Sequence, residues 1–140
     1  MSLRNTLLRE IGETGPITLA QFMRRALMDP AQGYYTQRDP LGAEGDFTTS
    51  PEISQMFGEL IGLAIAQAWL DQGAPKPFVL AELGPGRGTL MADLLRATSA
   101  VPGFTDASQV VFVEQSQVLQ AEQSQRVPNA TWVTDFSDIP

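Results

Sequence analysis

The chain has 140 residues and contains neither cysteine nor histidine, and its single lysine is Lys76. Without cysteine, neither a disulfide framework nor a thiolate metal site is available. Without histidine, the usual general base and the commonest metal ligand are also missing. We therefore expect no metal site.

Basic residues are also scarce, since 9 lysines and arginines face 16 acidic residues and give a net charge of −7. Binding to nucleic acid needs a basic face that neutralises phosphates, so it is not expected here. An anionic membrane surface is an equally poor partner. The N-terminus lacks the features of a signal peptide, and the longest apolar stretch is interrupted by Glu59, Gln67 and glycines. We expect no membrane insertion and, for a bacterial protein, a cytoplasmic location.

The first half of the chain is predicted to hold helices and one long loop. A helix is expected over residues 3–11, stopped by Gly12 and the Gly15-Pro16 pair. A second is expected to begin at a capping box formed by Thr18 and Gln21 and to stop before Pro30. Residues 33–50 show neither a helical nor a strand period, and their aromatic residues argue against disorder. This loop is expected either to line a pocket or to form a packed structural loop.

A single long helix is predicted over residues 51–72. Ser50 is a suitable N-cap, Pro51 suits the first helical position, and Gly73 ends the pattern. Apolar residues recur at spacings of three and four, so one wide face is expected to lie in the core. That face comprises Ile53, Met56, Phe57, Leu60, Ile61, Ala64, Ile65, Ala68 and Trp69.

From residue 78 onward, short apolar runs alternate with helical patterns. Strands are predicted at 78–83, 110–115 and 130–134, helices at 90–97 and 118–126, and a loop at 101–108. Strand, helix and strand in alternation predict a parallel sheet with right-handed crossovers, hence an α/β fold.

The turn after the first strand is the most informative segment. Gly84, Gly86 and Gly88 alternate there, and Thr89 stands where a dinucleotide fingerprint places its last glycine. Glycines let the backbone turn sharply and approach a ligand closely, and the following helix directs its free N–H groups at the turn. A cofactor site is therefore predicted, although a glycine-rich turn also occurs as a plain tight connection. A P-loop is excluded, because no Gly-Lys-Ser/Thr follows.

The spacing of the turn, with Thr89 in place of a last glycine, and the carboxylate of Glu82 favour S-adenosylmethionine over NAD. Glu82 lies within the first strand, where a buried carboxylate needs a cationic partner such as the ammonium of a methionine moiety. Glu114 ends the second strand, where it can accept hydrogen bonds from ribose hydroxyls or remain a solvated strand end.

Three motifs together carry a family likeness. Glu82-Leu-Gly-Pro-Gly-Arg-Gly-Thr89, Gly45-Asp-Phe-Thr-Thr-Ser-Pro-Glu-Ile-Ser54 and Phe57-Gly-Glu59 resemble the MidA-type S-adenosylmethionine-dependent methyltransferases. The glycine turn alone indicates only a class I methyltransferase, and the second motif narrows the likeness to this family. The resemblance implies a Rossmann-like class I methyltransferase sheet, preceded by an N-terminal helical region.

The resemblance also implies what the cofactor touches. Glu82 is expected near the methionine end of the cofactor and Glu114 at its ribose. The turn residues that surround the cofactor are expected to be Gly84, Pro85, Gly86 and Gly88. The resemblance adds Asp46, Thr48 and Thr49 as contacts from the loop that covers the pocket. No catalytic residue is assigned, although Asp46, Glu52 and Glu59 are conceivable stand-ins for acidic groups that orient an acceptor.

Mitochondrial members of the family support assembly of respiratory complex I and symmetrically dimethylate an arginine of one of its subunits. The resemblance therefore implies a protein-arginine methyltransferase with a complex I subunit as partner. The alternative is a non-catalytic assembly module that retains the fold, and an NAD-dependent oxidoreductase is more distant. Both differ from a methyltransferase in their response to cofactor, because the assembly module binds its partner regardless of cofactor and the oxidoreductase binds NADH.

Family members continue beyond the region of likeness with further strands. The chain is therefore expected to hold a helical region over 1–75 and the first half of the Rossmann-like domain over 76–140. A half-sheet exposes an apolar edge, which is a known site of association. The chain is therefore expected either to pair with a second copy along that edge or to be part of a longer protein.

Overall fold

The computed structural model describes residues 2–36 and 45–140. The chain forms two compact units, residues 1–40 and residues 41–140. The predicted domain boundary at residue 75 stays a prediction, and it differs from this division because the long helix before it packs along the helix after the glycine turn. The predicted loop over residues 33–50 lies in part outside the described residues.

Two helices make up the described part of the first unit. Helix α1 spans Leu3–Thr14 and α2 spans Leu19–Met28, with the predicted capping box between Thr18 and Gln21 confirmed. The prediction that α1 stops at Gly12 was wrong, but the predicted stop at the Gly15-Pro16 pair is confirmed. Glycine in a helix interior costs only about 1 kcal/mol, so α1 continues until Gly15, whose φ of +88° favours glycine.

The second unit contains a parallel sheet of three strands in the order β1-β2-β3. Its elements, in chain order, are α3 (Ser50–Ile53), α4 (Gln55–Asp71), β1 (Phe78–Leu83), α5 (Thr89–Thr98), α6 (Phe104–Ala107), β2 (Ser108–Val113), α7 (Gln117–Arg126), β3 (Thr131–Val133) and a 3₁₀ turn (Phe136–Asp138). The predicted α/β alternation is confirmed.

The sheet differs from the prediction in two details. The predicted loop over 101–108 contains the short helix α6, which begins after Gly103 in a left-handed conformation. Strand β2 begins earlier than predicted and ends at Val113, so Glu114 directly follows the strand. The end of β1 lies beside the end of β2, because Leu83 pairs with Val113.

The single helix predicted over 51–72 was wrong, because Ser54 divides it into α3 and α4. Ser54 has an extended backbone (φ −151°, ψ 126°), and its side chain accepts a hydrogen bond from the N–H of Met56. Serine favours this capping role over a helix interior, since its hydroxyl competes for backbone groups. Thr49, not Ser50, occupies the N-cap position of α3.

The predicted core face of the helix over 51–72 was also partly wrong. Ile53, Met56 and Leu60 are 71%, 61% and 61% exposed. The buried residues are Gly58, Gly62, Ala66 and Trp69. Three of these four residues are small, which lets α4 approach α5 closely. Along the described chain, none of the helices is long and apolar enough to cross a membrane.

Contact between α4 and α5 depends on the missing side chain of Gly62. A Cβ there would lie 3.0 Å from Leu94 Cα, Cγ and O. We predict that Gly62→Ala lowers the free energy of unfolding by about 1–3 kcal/mol, because overpacking forces the helices apart.

The matched control is Gly12→Ala in α1, where a Cβ meets nothing within 4 Å. That variant is expected to be neutral or more stable by up to about 1 kcal/mol. Urea denaturation of both variants measures the difference. Equal effects of the two substitutions would contradict the close approach of α4 and α5.

Candidate cofactor site

The glycine turn joins β1 to α5 through a left-handed backbone. Gly84 and Gly86 have φ values of +62° and +56°. The N–H of Gly84 donates to the Val113 carbonyl (3.1 Å), and the N–H of Gly88 donates to that of Pro85 (2.8 Å). Residues with a Cβ adopt such φ values only with strain, so the turn requires glycine.

A cleft of about 220 Å³ opens beside this turn. Its volume is below the roughly 300–1,000 Å³ typical of a complete ligand pocket, so it suits a part of a ligand the size of an amino acid. The cleft is lined by Thr49, Pro51, Glu52, Glu82, Gly84, Pro85, Gly86, Arg87, Thr89 and Leu90.

Glu82 is the unusual residue of the cleft. It pairs with Phe112 in the sheet register, and its buried Oε2 has no hydrogen-bond partner among the described residues. Burial raises the pKa of Glu82 from 4.5 to about 7, because the ionised form loses hydration. An unpaired carboxylate of this kind is costly unless a cationic group reaches it.

The N-terminus of α5 supplies the opposite charge preference. Gly88 is its N-cap and offers no side-chain oxygen to the first N–H groups of the helix. Those N–H groups and the helix dipole favour an anion. A cleft with a carboxylate on one side and a helix N-terminus on another fits the ammonium and carboxylate of an amino acid. A Cβ at Gly84 would meet nothing within 4 Å, so a ligand has room to approach the backbone.

Glu52 fixes one wall of the cleft. Its Oε1 accepts a hydrogen bond from the Thr89 hydroxyl (2.5 Å), and its Oε2 accepts one from Arg87 Nη1 (3.3 Å). These contacts tie α3 to the start of α5, so Thr49 and Pro51 are held against the glycine turn. The Glu52–Arg87 ion pair is largely buried, with side-chain exposures of 20% and 25%.

Glu114 lies directly after β2 but does not line the cleft. Its Oε1 accepts a hydrogen bond from the N–H of Ser116 (2.7 Å), and its Oε2 accepts one from Gln123 Nε2 (3.3 Å). A carboxylate has about four lone-pair sites, so two acceptances leave capacity for ribose hydroxyls. Its ribose role stays a prediction.

The other predicted contacts divide into two groups. Glu82, Gly84, Pro85, Gly86 and Thr49 come together around the cleft. Asp46 and Thr48 are exposed and do not line it, and Gly88 is buried behind the turn as the N-cap of α5. The cofactor roles of all these residues stay predictions.

Sequence reasoning missed Gln123 and the structural role of Glu52. Gln123 is completely buried and hydrogen-bonds to the glycine turn through the Gly86 carbonyl (2.7 Å). Nothing in the glutamine-rich segment of α7 distinguishes Gln123 from its neighbours. Glu52 carried a weak signal, because a carboxylate in the first turn of a helix is commonly explained by the helix dipole alone.

Solved structures define the class of this fold. A protein from Burkholderia thailandensis described as a "likely methyl transferase", crystallised with bound S-adenosyl-homocysteine, superposes with a TM-score of 0.71 at 28% identity. The superposition covers 95% of this chain and 37% of the Burkholderia chain. A native structure of an uncharacterized protein from the same organism superposes with a TM-score of 0.66 at 29% identity. That superposition covers 96% of this chain and 35% of the other chain. The parallel sheet with flanking helices is a class I methyltransferase fold.

The family follows from the sequence. Residues 60–140 match a family described as "Putative S-adenosyl-L-methionine-dependent methyltransferase", and the chain belongs to this family. This confirms the resemblance inferred from the three motifs.

Curated relatives carry a more specific name. The mitochondrial "Protein arginine methyltransferase NDUFAF7 homolog" of Drosophila melanogaster is 48% identical over 125 residues, which is 89% of this chain and 28% of the relative. The mitochondrial human "Protein arginine methyltransferase NDUFAF7" is 56% identical over 90 residues, which is 64% of this chain and 20% of the relative. The chain therefore spans less than a third of the length of these relatives.

The raised pKa of Glu82 generates a prediction about stability. A carboxyl group whose pKa is higher in the folded state than in the unfolded state stabilises the fold at low pH. That contribution is lost as the pH rises from about 4.5 to about 7. We predict that Glu82→Gln leaves the melting temperature unchanged at pH 4.5 and raises it by several degrees at pH 8.

The control is Glu13→Gln in α1, at an exposed carboxylate. Thermal melts of both variants from pH 4.5 to 8 measure the difference from the parent protein. If the melting-temperature difference between Glu82→Gln and the parent protein does not grow with pH, ionisation of Glu82 does not destabilise the fold.

Proposed function

We propose that this protein binds S-adenosylmethionine in the cleft beside the glycine turn and serves as a methyltransferase. The observation that carries the proposal is the partnerless Oε2 of Glu82 in a cleft that also faces the N-terminus of α5. The bound S-adenosyl-homocysteine of the Burkholderia thailandensis relative supports it.

The residues of this chain bind and orient the cofactor. Ionised Glu82 pairs with the ammonium of the methionine moiety, and the first N–H groups of α5 hold its carboxylate. The hydrogen bond between Glu52 and Thr89 holds the wall of the cleft beside that end of the ligand. When bound, S-adenosylmethionine supplies an activated methyl group on a sulfonium. Alignment of an acceptor with that methyl is then the main requirement for transfer.

We propose an arginine of a protein as the acceptor and a respiratory complex I subunit as the partner. The names of the fly and human relatives support the arginine, and the family likeness supports the role in complex I assembly. A protonated guanidinium is a poor nucleophile, so carboxylates must orient it and accommodate its charge. We assign no residue to that step, and the bacterial cytoplasm stays the predicted location.

The cofactor site is tested by Gly86→Val. A β-branched residue at a φ of +56° is strained, and its side chain fills space beside the turn. We predict that the variant loses calorimetric affinity for S-adenosyl-homocysteine by at least about 100-fold.

Gly73→Val is the matched control, because Gly73 has a similar φ of +83° but lies after α4, away from the cleft. It introduces comparable backbone strain and should leave the affinity within about twofold. Unchanged affinity in Gly86→Val would contradict the site, and failure of the parent protein to bind S-adenosyl-homocysteine would contradict the proposed function.

The acceptor is tested by incubating the full-length protein with radiolabelled S-adenosylmethionine and isolated complex I subunits. Transfer of label to arginine is the expected result. Capture of a partner that is indifferent to S-adenosyl-homocysteine, without transfer, would instead indicate a non-catalytic assembly module.

A further inference from the structure

One buried amide lies between three parts of the second unit. Gln123 on α7 has no exposed surface, and its side chain contacts the glycine turn, the end of β2 and strand β3. A buried polar group is costly unless its hydrogen bonds are satisfied. Each bond of this side chain therefore constrains the part of the structure that it reaches.

The orientation of the amide follows from its partners. Trp132 Nε1 can only donate, and it donates to Gln123 Oε1 at 2.8 Å. Nε2 must then face the other side, where it donates to the Gly86 carbonyl at 2.7 Å and to Glu114 Oε2 at 3.3 Å. The reversed amide would set its oxygen against a carbonyl and a carboxylate, so the network allows one orientation.

The two acceptors on Nε2 belong to different parts of the predicted cofactor site. Gly86 lines the cleft that fits the amino-acid end of the ligand. Glu114 follows β2 and is predicted to meet the ribose. Through Gln123, the position of the Gly86 carbonyl depends on the position of the Glu114 carboxylate.

We propose that Gln123 is a positioning residue that couples the methionine end of the cofactor site to its ribose end. The inference rests on the proposed function, because it assumes that S-adenosylmethionine occupies both ends. It does not place Gln123 in contact with the ligand. Its amide fixes the Gly86 peptide and the Glu114 carboxylate relative to each other before the ligand arrives, so binding requires less reorganisation.

The backbone of α7 supports the same turn by packing. A Cβ added to Gly88 would lie 3.4 Å from Gln123 Cγ and 3.5 Å from its Cα. The α7 helix therefore packs directly behind the turn, which limits how far the Gly86 carbonyl can move while the amide bond is kept.

The test compares Gln123→Met with Gln120→Met. Methionine keeps the length of the side chain but removes its hydrogen bonds. Gln120 is a matched control on the same helix, because its Nε2 donates to the Glu114 backbone carbonyl (2.8 Å) and not to the turn. Calorimetry with S-adenosyl-homocysteine on the full-length protein should show affinity weakened by about tenfold or more in Gln123→Met and by less than about twofold in Gln120→Met.

A second readout follows the coupling itself, and its first comparison uses the parent protein alone. The indole N–H of Trp132 donates to Gln123, whereas that of Trp69 donates to the Pro75 carbonyl (2.9 Å). Ligand contacts with Glu114 and the Gly86 peptide change the polarisation of the Gln123 amide even without movement. In ¹H–¹⁵N spectra, saturating S-adenosyl-homocysteine should therefore shift the Trp132 indole signal and leave the Trp69 signal in place. In Gln123→Met the ligand-induced Trp132 shift should be lost.

Three results would overturn the proposal, and they are distinguishable. A folded Gln123→Met variant with parental affinity would show that the amide does not position the site. If the Trp132 indole signal of the parent protein does not shift at saturating ligand, the two ends are not coupled. This result stands even if Gln123→Met fails to fold. A parent protein that binds no S-adenosyl-homocysteine would overturn the proposed function, and this inference with it.

Discussion

The side-chain amide of Gln123 is the interaction on which the candidate site depends. Parallel strands end at the same edge of a sheet, but the loops that follow them are free to diverge. In this chain a single buried amide joins the loop after β1 to the residue after β2 and to Trp132 of β3. The donor and acceptor pattern permits one arrangement, so the fold defines the backbone against which a ligand binds.

A second constraint sets the position of α5, whose N-terminus faces the cleft. Gly58 and Gly62 allow α4 to pack against α5 at a distance that any Cβ would prevent. Glu52 then joins α3 to Thr89, the first residue of α5. The direction of the α5 helix dipole is consequently set by packing along the side of the helix and by a hydrogen bond at its N-terminus. Glu82 of β1 provides a negative charge on the other side of the cleft.

The sequence predicted the α/β order and the glycine turn because each depends on a local signal: apolar runs of strand length and glycines at alternate positions. It also singled out Glu82, because a carboxylate within a buried strand is conspicuous. It failed where the signal is tertiary. Glycines on the buried face of α4 allow its close contact with α5, although larger apolar residues lie on its other faces. Gln123 has no local feature that separates it from the other glutamines of α7, and its bond to the Gly86 carbonyl joins residues 37 positions apart. The break at Ser54 was missed because Ser50 and Pro51 already supply a helix start four residues earlier, so the apolar pattern on both sides of Ser54 indicated one helix.

The central claim is that Glu82 and the N-terminus of α5 together hold the amino-acid end of S-adenosylmethionine. A crystal structure of the full-length protein with S-adenosyl-homocysteine tests it most directly. The account predicts the ligand ammonium within hydrogen-bond distance of Glu82 Oε2 and the ligand carboxylate at the first N–H groups of α5. A ligand whose amino-acid end lies elsewhere, with Glu82 Oε2 still without a partner, would contradict it.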